Sequence, residues 1–168
     1  MCIRDRLKGR FDAALRYGKN LALDLVELPV LKQHYFIACA APDYLAEHGQ
    51  PESPEQLSEH ECIICHSIGR PESRWRFHGA GKVEDVPVQG HFCCDDGDAA
   101  RRWAVAGHGV VNLPLLNVVE DLLAGRLLAL LPGWQSDAAP LNLVVSHRSQ
   151  ITSSLRALHQ CLVEHCTD

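Results

Sequence analysis

The apolar and polar positions between Cys93 and Pro114 predict a helix that runs directly into a buried strand. At the helix start, Asp95 or Asp96 can accept hydrogen bonds from the free backbone N–H groups of the first turn. Asp98 adds negative charge where the helix dipole favours it, and it precedes Arg102 by the four residues that a stabilising ion pair needs. The apolar residues that fall on one helical stripe are Ala99, Trp103 and Ala106.

The end of this helix and the strand after it are also marked in the sequence. Gly107 favours the left-handed backbone that ends many helices, so the end is expected at Gly107 or His108. The apolar residues of 110–113 predict a strand that is buried on both faces, as strands of parallel sheets are. Pro114 closes this strand because proline has no N–H group to donate to a neighbouring strand.

Strand and helix patterns alternate along the rest of the chain. Strands are predicted at 11–18, 35–40, 61–66, 75–79, 86–94, 126–133 and 141–146. Helices are predicted at 43–49, 115–123 and 152–164, the last with Leu155, Leu158 and Leu162 on its inner face. Loops are expected at 19–32 and 67–73, and a change of lobe fits the acidic, proline-marked segment 51–60. This alternation indicates an α/β protein with right-handed crossovers.

Length and charge limit the classes of function. A chain of 168 residues with 46% hydrophobic residues can form one or two small lobes without disulfide or metal staples. The net charge of −5 argues against a nucleic-acid surface, which needs clustered Lys and Arg. No apolar run approaches the roughly 20 residues of a membrane span, and the N-terminus lacks the layout of a signal peptide. A cytoplasmic protein without membrane partners is therefore expected.

The cysteines and histidines do not indicate a catalytic or metal site. The eight cysteines lack the spacing of a disulfide framework, so reduced thiols are expected. Cys62 and Cys65, followed by His66, have zinc-like spacing, but strand residues three apart point to opposite faces and cannot share one metal. A nucleophile at Cys65 or Ser67 has no nucleophile-elbow motif to support it. No catalytic residue, metal or cofactor is therefore predicted.

Five segments in order resemble one family, the effector-binding domain of LysR-type transcriptional regulators. The segments are FDAALRYG, YFIACAAPDYLAEHGQPESPEQLSEHECI, WRFHG, CCDDGDAARRWAVAGHGVVNLP and VVEDLLAGRLLALLPGW. Each segment alone is a weak match, but their order and spacing are specific, and together they cover nearly the whole chain. The resemblance implies a two-lobed, type 2 periplasmic-binding-protein-like fold that holds a small-molecule effector in a cleft.

The resemblance also implies an organisation of the chain. Residues 1–6 look like a scar or artefact, 7–42 match part of the first lobe, 43–140 the second lobe, and 141–168 a return to the first lobe. The family's helix-turn-helix domain, its linker helix and the start of the first lobe have no counterpart, so the first lobe is expected to be incomplete. Family members form dimers or tetramers and contact DNA through that N-terminal domain. The isolated chain is therefore expected to be marginally stable and to self-associate through surfaces that the missing segment would cover.

The candidate effector site follows from the rule that ligands of open α/β sheets bind outside the carboxyl ends of strands and at helix N-termini. The residues that this rule selects are Arg16, Tyr17, His66, Ser67, Asp95, Asp96, Gly97 and Asn112. All but Asn112 match positions where the family places cleft residues. The family usually has Asn at position 95 and an aliphatic residue at 112, so the polarity of this pocket is expected to be its own. Capping of the helix and contact with a ligand are equally expected roles for Asp95 and Asp96, and the two can coexist.

Two other classes of function are alternatives to a regulator. A solute-binding protein of a transporter would share the fold, but it would be expected to carry a signal peptide and fewer reduced cysteines. A cysteine-dependent or metal-dependent enzyme is the third class. The genomic sequence upstream of residue 7 separates the three, since a helix-turn-helix frame supports the regulator and a secretion signal supports the transporter component.

We predict that residues 7–168 alone do not bind DNA with sequence selectivity, because the chain is acidic and no recognition helix is expected in it. An electrophoretic mobility shift assay with promoter and scrambled DNA at two salt concentrations measures this. A salt-sensitive shift that is specific for the promoter would contradict the prediction.

Overall fold

The computed structural model describes residues 11–18, 25–66, 73–79 and 81–167. The chain divides into two compact units. The first unit combines Met1–His34 with Ala138–Asp168, and the second unit is the continuous segment Tyr35–Asp137. These divisions differ from the predicted lobe boundaries at 42/43 and 140/141. Residues 51–60, where a change of lobe was expected, lie inside the second unit.

The strands are β1 (Ala14–Tyr17), β2 (Val26–Leu31), β3 (Phe36–Ala40), β4 (Cys62–Cys65), β5 (Arg74–Gly79), β6 (Lys82–Pro87), β7 (Cys93–Cys94), β8 (Val110–Pro114), β9 (Leu128–Ala129), β10 (Gln135–Ser136) and β11 (Leu141–Val145). The helices are α1 (Pro42–His48), α2 (Gly97–Val105), α3 (Leu115–Leu123) and α4 (Ser153–Thr167), with 3-10 turns at Pro54–Glu59 and Arg148–Gln150. The predicted α/β class is thereby confirmed.

The first unit is a three-stranded antiparallel sheet in the order β1-β11-β2, and α4 packs beside it. All five residues of the central strand β11 are buried. Leu155 of α4 joins the core with Leu141 and Leu143, but Leu158 is 47% exposed, so the predicted inner face of this helix is wrong at that position. The core contacts of Leu155 and Leu162 place the buried stripe to one side of Leu158.

Strand β2 lies in the segment that was predicted as a loop, and that prediction is wrong. Its sequence contains Glu27 and Pro29, which obscure the strand pattern. Among the described strands, β2 pairs with β11 alone and lies at an edge of this sheet, where a proline is tolerated because one side of the strand needs no partner. A register shift beside Leu141 and Asn142 accommodates the pairing with Pro29.

The second unit is built on a five-stranded sheet in the order β7-β4-β8-β3-β9. β4 is parallel to both β7 and β8, whereas β3 is antiparallel to β8 and β9. β8 lies at the centre and all five of its residues are buried, which confirms the predicted strand. β3 was assigned from sequence to the first lobe, but its pairing with β8 places it in the second unit.

Each face of this sheet has its own core. On one face α1, the 3-10 turn at Pro54–Glu59 and the β10-β5-β6 sheet pack around Cys62, Ile64, Val110 and their neighbours. On the other face α2 and α3 pack around Ile63, Val111 and Leu113, with Cys65 among the partly buried neighbours. Cys62 and Cys65 therefore lie on opposite faces, as the strand geometry predicts.

Several predicted elements have different bounds in the structure. The second strand of the predicted hairpin is β6, so the prediction of a strand over 86–94 is wrong except at its ends, because the cross-strand register with β5 begins at Lys82. The predicted strand over 126–133 shortens to β9. The buried residues of α2 are Ala100 and Ala104, one position away from the predicted stripe, since these small side chains face the sheet.

Gly109 sets the start of β8. Its φ angle of +149° lies outside the usual range of other residues, and a Cβ atom at this position would clash with the carbonyl oxygen of Glu61. The same close approach lets the Val110 N–H group donate to the Glu61 carbonyl at 2.8 Å. Glycine is thus required where β4 and β8 come together.

A buried carboxylate joins α2 to α3. Asp121 is 1% exposed, and its Oδ2 accepts from Nη1 of Arg101 at 2.8 Å while its Oδ1 accepts from Nε of Arg126 at 2.5 Å. Burial acts to raise the pKa of Asp121, but the hydrogen bonds from Arg101 and Arg126 outweigh it and the net pKa is lowered. Arg101 also donates to Asp98, so one arginine connects the start of α2 to α3.

We predict that Asp121→Asn lowers the free energy of unfolding by about 2 kcal/mol at pH 7, between the values for exposed and fully buried ion pairs. Because the folded-state pKa of Asp121 is lowered, its contribution is fully present above the unfolded pKa of about 3.9 and is lost as the pH falls below that value. Urea unfolding of both proteins between pH 3 and pH 7 measures the difference.

The matched control for this experiment is Glu120→Gln, which changes an exposed carboxylate on the same helix. Its effect is expected to stay within about 0.5 kcal/mol. Equal destabilisation by the two variants, or a difference that does not shrink at acidic pH, would contradict the role of the buried ion pairs.

Candidate functional site

The carboxyl ends of β4 and β7 meet in the second unit and bring four predicted site residues together. The two strands are parallel, with Cys65 opposite Cys94. The backbone N–H group of His66 donates to the Cys94 carbonyl at 2.7 Å. His66 therefore lies beside the turn that carries Asp95, Asp96 and Gly97 into α2.

Asp96 caps α2, and it is one of the two aspartates, Asp95 and Asp96, that the sequence predicted for this role. Its Oδ1 accepts hydrogen bonds from the N–H groups of Asp98 at 2.8 Å and of Ala99 at 3.1 Å. Asp98 forms the predicted ion pair with Arg102 at 3.2 Å. Asp95 is exposed and does not serve as the cap, so its carboxylate is accessible at the same corner.

Gly97 permits a close approach between α2 and α3. A Cβ atom at this position would lie 3.1 Å from Nδ2 of Asn117, which is tighter than ordinary van der Waals contact. The Asn117 amide is thus held next to the first turn of α2. A side chain at position 97 would require the Asn117 amide to shift by a few tenths of an ångström.

Two thiols lie beneath this corner. Cys65 and Cys94 are partly buried, and Sγ of Cys94 donates to the Asp96 carbonyl at 3.2 Å. Burial raises the pKa of the Cys65 thiol to about 12, with further contributions from Cys94, Asp96 and Asp95. Burial likewise raises the pKa of Cys62 to about 12. The thiols of Cys62 and Cys65 are therefore protonated at neutral pH, which disfavours the alternative of a cysteine nucleophile.

Asn112 lies on β8, but its side chain contacts a different part of the second unit. Its Oδ1 accepts a hydrogen bond from Oγ of Ser136 at 3.2 Å, and both residues are buried. Among the described residues, Nδ2 of Asn112 is a buried side-chain atom without a hydrogen-bond partner. Ser136 was not identified from sequence, because nothing in its local sequence indicates that β10 lies close to Asn112 of β8.

A pocket of about 470 Å³ lies next to Ser136, and the described residues that line it belong to the second unit. Its lining residues are Tyr35, Phe36, Ile37, Ala38, Phe77, His78, Leu115, Leu130, Gly133, Trp134, Gln135 and Ser136. Nε2 of His78 pairs with Oδ1 of Asp137 at 3.1 Å at its margin. Among the described residues of the predicted site, none lines this pocket, and Asn112 is linked to it through its hydrogen bond with Ser136.

Arg16 and Tyr17 lie in the first unit, at the end of β1. Arg16 is partly buried opposite Asn142, and the Tyr17 ring stacks on His34 with centroids 5.6 Å apart. Burial raises the pKa of Tyr17 to about 12, with Cys166 contributing, so its hydroxyl stays protonated at alkaline pH values where a free tyrosine ionises. Burial lowers the pKa of His34, although its hydrogen bond to the Ala139 carbonyl opposes this. Ser67 lies outside the described residues.

Within 11–18, 25–66, 73–79 and 81–167, no three His, Cys, Asp or Glu side chains are grouped to hold a metal ion. In the same part of the chain, no helix has the length and apolar character that crossing a membrane requires.

Comparison with known proteins identifies a family. The family model described as LysR substrate binding domain matches residues 2–167. The chain is 29% identical to the CrgA regulatory domain, a LysR-type transcriptional regulator from Neisseria meningitidis, with a TM-score of 0.79 over 94% of this chain and 76% of that one. A second CrgA structure, of 27% identity, gives a TM-score of 0.83 over 100% of this chain and 56% of that one.

Curated relatives have similar descriptions. The HTH-type transcriptional activator TtdR of Escherichia coli (strain K12) is 28% identical over 152 residues, which are 90% of this chain and 48% of the relative. The probable HTH-type transcriptional regulator LtrA of Klebsiella pneumoniae is 34% identical over 134 residues, 78% of this chain and 42% of the relative. The chain thus spans about half the length of the curated relatives that it matches.

We predict that Asp96→Ala lowers the free energy of unfolding by about 1 kcal/mol because two N–H groups of α2 lose their acceptor. Asp95→Ala is the matched control, since it removes the neighbouring exposed carboxylate and is expected to change stability by less than about 0.5 kcal/mol. Chemical denaturation monitored by circular dichroism measures both. Equal losses in the two variants would show that Asp96 does not act through the cap.

Proposed function

This chain belongs to the LysR substrate-binding-domain family, and we propose that it senses a small-molecule effector for a DNA-binding transcriptional regulator. The observation that carries the proposal is the family match over residues 2–167, together with the fold shared with the CrgA regulatory domain. The matched family consists of transcriptional regulators rather than enzymes. We further propose that the protein acts in the cytoplasm and contacts DNA through a separate helix-turn-helix domain.

The residues that we propose for effector contact are Arg16, Tyr17, His66, Ser67, Asp95, Asp96, Gly97 and Asn112. Arg16 offers a guanidinium and Tyr17 a hydroxyl group, and each can donate a hydrogen bond to a ligand. His66 and Asp95 are exposed at the corner where two parallel strands end and α2 begins. Such corners favour ligand binding because backbone N–H groups and side chains converge there.

We propose that the effector acts by shifting the populations of pre-existing dimer or tetramer arrangements of the regulator. A ligand changes such an equilibrium only as far as it binds one arrangement more tightly than another. In an oligomer this difference is transmitted to the partner subunit as a coupling free energy. We propose that the full regulator is a dimer or tetramer, in keeping with the oligomers that this family forms.

Binding of an effector is tested with the 168-residue chain and a panel of small organic acids, amides and aromatic compounds. We expect at least one compound to raise the melting temperature, since a ligand at 100 times its Kd stabilises the folded state by about 2.7 kcal/mol. Titration calorimetry then gives the affinity. We expect Arg16→Ala and His66→Ala each to weaken binding by about tenfold or more, because each removes a polar contact.

Two exposed residues supply the matched controls. Arg156→Ala removes an exposed arginine of α4 in the first unit, and His165→Ala removes an exposed histidine of the same helix. Both are expected to leave the affinity unchanged. An effector whose affinity falls equally in the site variants and the controls, or in neither, would contradict the proposed contacts.

A further inference from the structure

Cys65 and Cys94 lie directly beside each other on two neighbouring strands. They are partners in the parallel register of β4 and β7, and neighbouring strands of a sheet are about 4.8 Å apart. This separation falls within the range of about 4.4–6.8 Å that a disulfide needs between its two Cα atoms. Both thiols are free, so the backbone of the reduced protein already holds the two residues at a distance that one disulfide can bridge.

The two side chains also lie on the same face of the sheet. Each is partly buried against the core that contains Ile63, Val111 and Leu113. Burial raises the pKa of the Cys65 thiol to about 12, and Cys94 contributes through its charge and through a hydrogen bond between the two side chains. The two thiols are therefore in contact.

The other cysteines of these two strands do not share this arrangement. Cys62 is buried in the core on the opposite face of the sheet. Cys93 is exposed, and because it precedes Cys94 in a strand it points away from the face on which Cys94 lies. Within β4 and β7 the juxtaposition is thus specific to Cys65 and Cys94.

Cys94 connects this pair of thiols to the start of α2. Its Sγ donates to the Asp96 carbonyl at 3.2 Å, and the same carbonyl accepts from the N–H group of Ala100 at 3.1 Å. A disulfide has no S–H group, so the hydrogen bond from Cys94 to Asp96 is lost when Cys94 is oxidised. The oxidation state of the pair therefore affects the turn that carries Asp95, Asp96 and Gly97 into α2.

We propose that Cys65 and Cys94 form a reversible disulfide when the protein meets a low-molecular-weight disulfide, and that this cross-link alters the first turn of α2. Disulfides that form transiently in the cytoplasm commonly serve redox sensing or catalysis. The inference rests on the proposed function in one respect, since the altered turn carries Asp95, Asp96 and Gly97, which are proposed for effector contact.

The reaction takes two thiol–disulfide exchange steps. The thiolate of Cys94 attacks one sulfur of oxidised glutathione, which forms a mixed disulfide and releases one glutathione thiolate. Cys65 then loses its proton, and its sulfur attacks Sγ of Cys94, which forms the internal disulfide and releases the second glutathione thiolate. The two cysteines lose two electrons and two protons, and one oxidised glutathione becomes two molecules of reduced glutathione. The raised pKa of Cys65 places its thiol second, since a thiol that stays protonated is the weaker first attacker.

Mass spectrometry tests the cross-link directly. The 168-residue chain is equilibrated with oxidised glutathione, the remaining thiols are alkylated with iodoacetamide, and the tryptic peptides are analysed without reduction. We expect fragmentation to assign a cross-link to Cys65 and Cys94. We also expect the oxidised chain to remain a monomer on a non-reducing gel, because the link is internal, and dithiothreitol to remove the link.

Three variants test the order of the two steps. Cys65→Ala is expected to stop at the glutathione adduct on Cys94, because the second attacking sulfur is missing. In Cys94→Ala, burial still disfavours the Cys65 thiolate, so its glutathione adduct is expected to form at least about tenfold more slowly than the adduct on Cys94 in Cys65→Ala. Cys93→Ala removes the adjacent exposed thiol and is the matched control, which is expected to form the same cross-link as the unmodified chain. Equal rates at Cys65 and Cys94 would contradict the proposed order.

Two-dimensional NMR of the ¹⁵N-labelled unmodified chain tests the effect on α2 and needs no variant. We expect oxidation to shift the amide signals of Gly97 and Ala100, because the Asp96 carbonyl loses the Cys94 thiol as a donor. The signal of Gly49, which ends α1 on the other face of the sheet, is the control and is expected to stay in place. Dithiothreitol is expected to restore the original spectrum.

The absence of a cross-link in the folded unmodified chain, a cross-link between other cysteines, its loss in Cys93→Ala, or equal shifts at Gly97 and Gly49 would overturn the proposal. None of these measurements uses an effector. Failure of the proposed function, which is measured with Arg16→Ala and His66→Ala, is therefore a separate outcome.

Discussion

Burial of β8 on both faces is the constraint on which the second unit depends. β8 pairs with β4 on one side and β3 on the other, and its residues alternate between the two cores of the sheet. The close approach at Gly109 begins the parallel pairing, and Pro114 leads directly into α3. The carboxylate of Asp121 then ties α3 to α2, because Arg101 contacts Asp98 and Asp121 together. The start of α2, with its candidate effector residues, is thus held by helix contacts that follow from the central strand.

Local signals account for the parts of the fold that sequence predicted well. The helix predicted at 115–123 has the same bounds in the structure, and the cap of α2 is one of the two aspartates identified. Both features depend on residues within a few positions of one another, so a pattern along the chain contains them. β8 was equally clear, because its run of apolar residues is short, lies between Gly109 and Pro114, and is buried throughout.

The features that sequence missed are set by residues far apart in the chain. β2 is a strand because β11 pairs with it, although Pro29 obscures its pattern. The start of β6 is fixed by its register with β5, not by the apolar run that begins at Val86. For the site, sequence selected Asn112 but did not identify Ser136, its hydrogen-bonding partner. An isolated asparagine in an apolar strand indicates an unusual environment, but its partner becomes known only when β10 is placed beside β5.

The discontinuity of the first unit also affects how the chain is made. Its central strand β11 comes from the C-terminal part, while β1 and β2 come from more than a hundred residues earlier. During translation β1 and β2 therefore emerge before β11, the strand with which they pair. The second unit, in contrast, is continuous in sequence, so its strands are synthesised before β11. The ribosome thus imposes an order of assembly, in which the second unit can form first and the first unit closes only when β11 is released. Exposed strand edges persist during this interval, which is when aggregation and chaperone binding compete with folding.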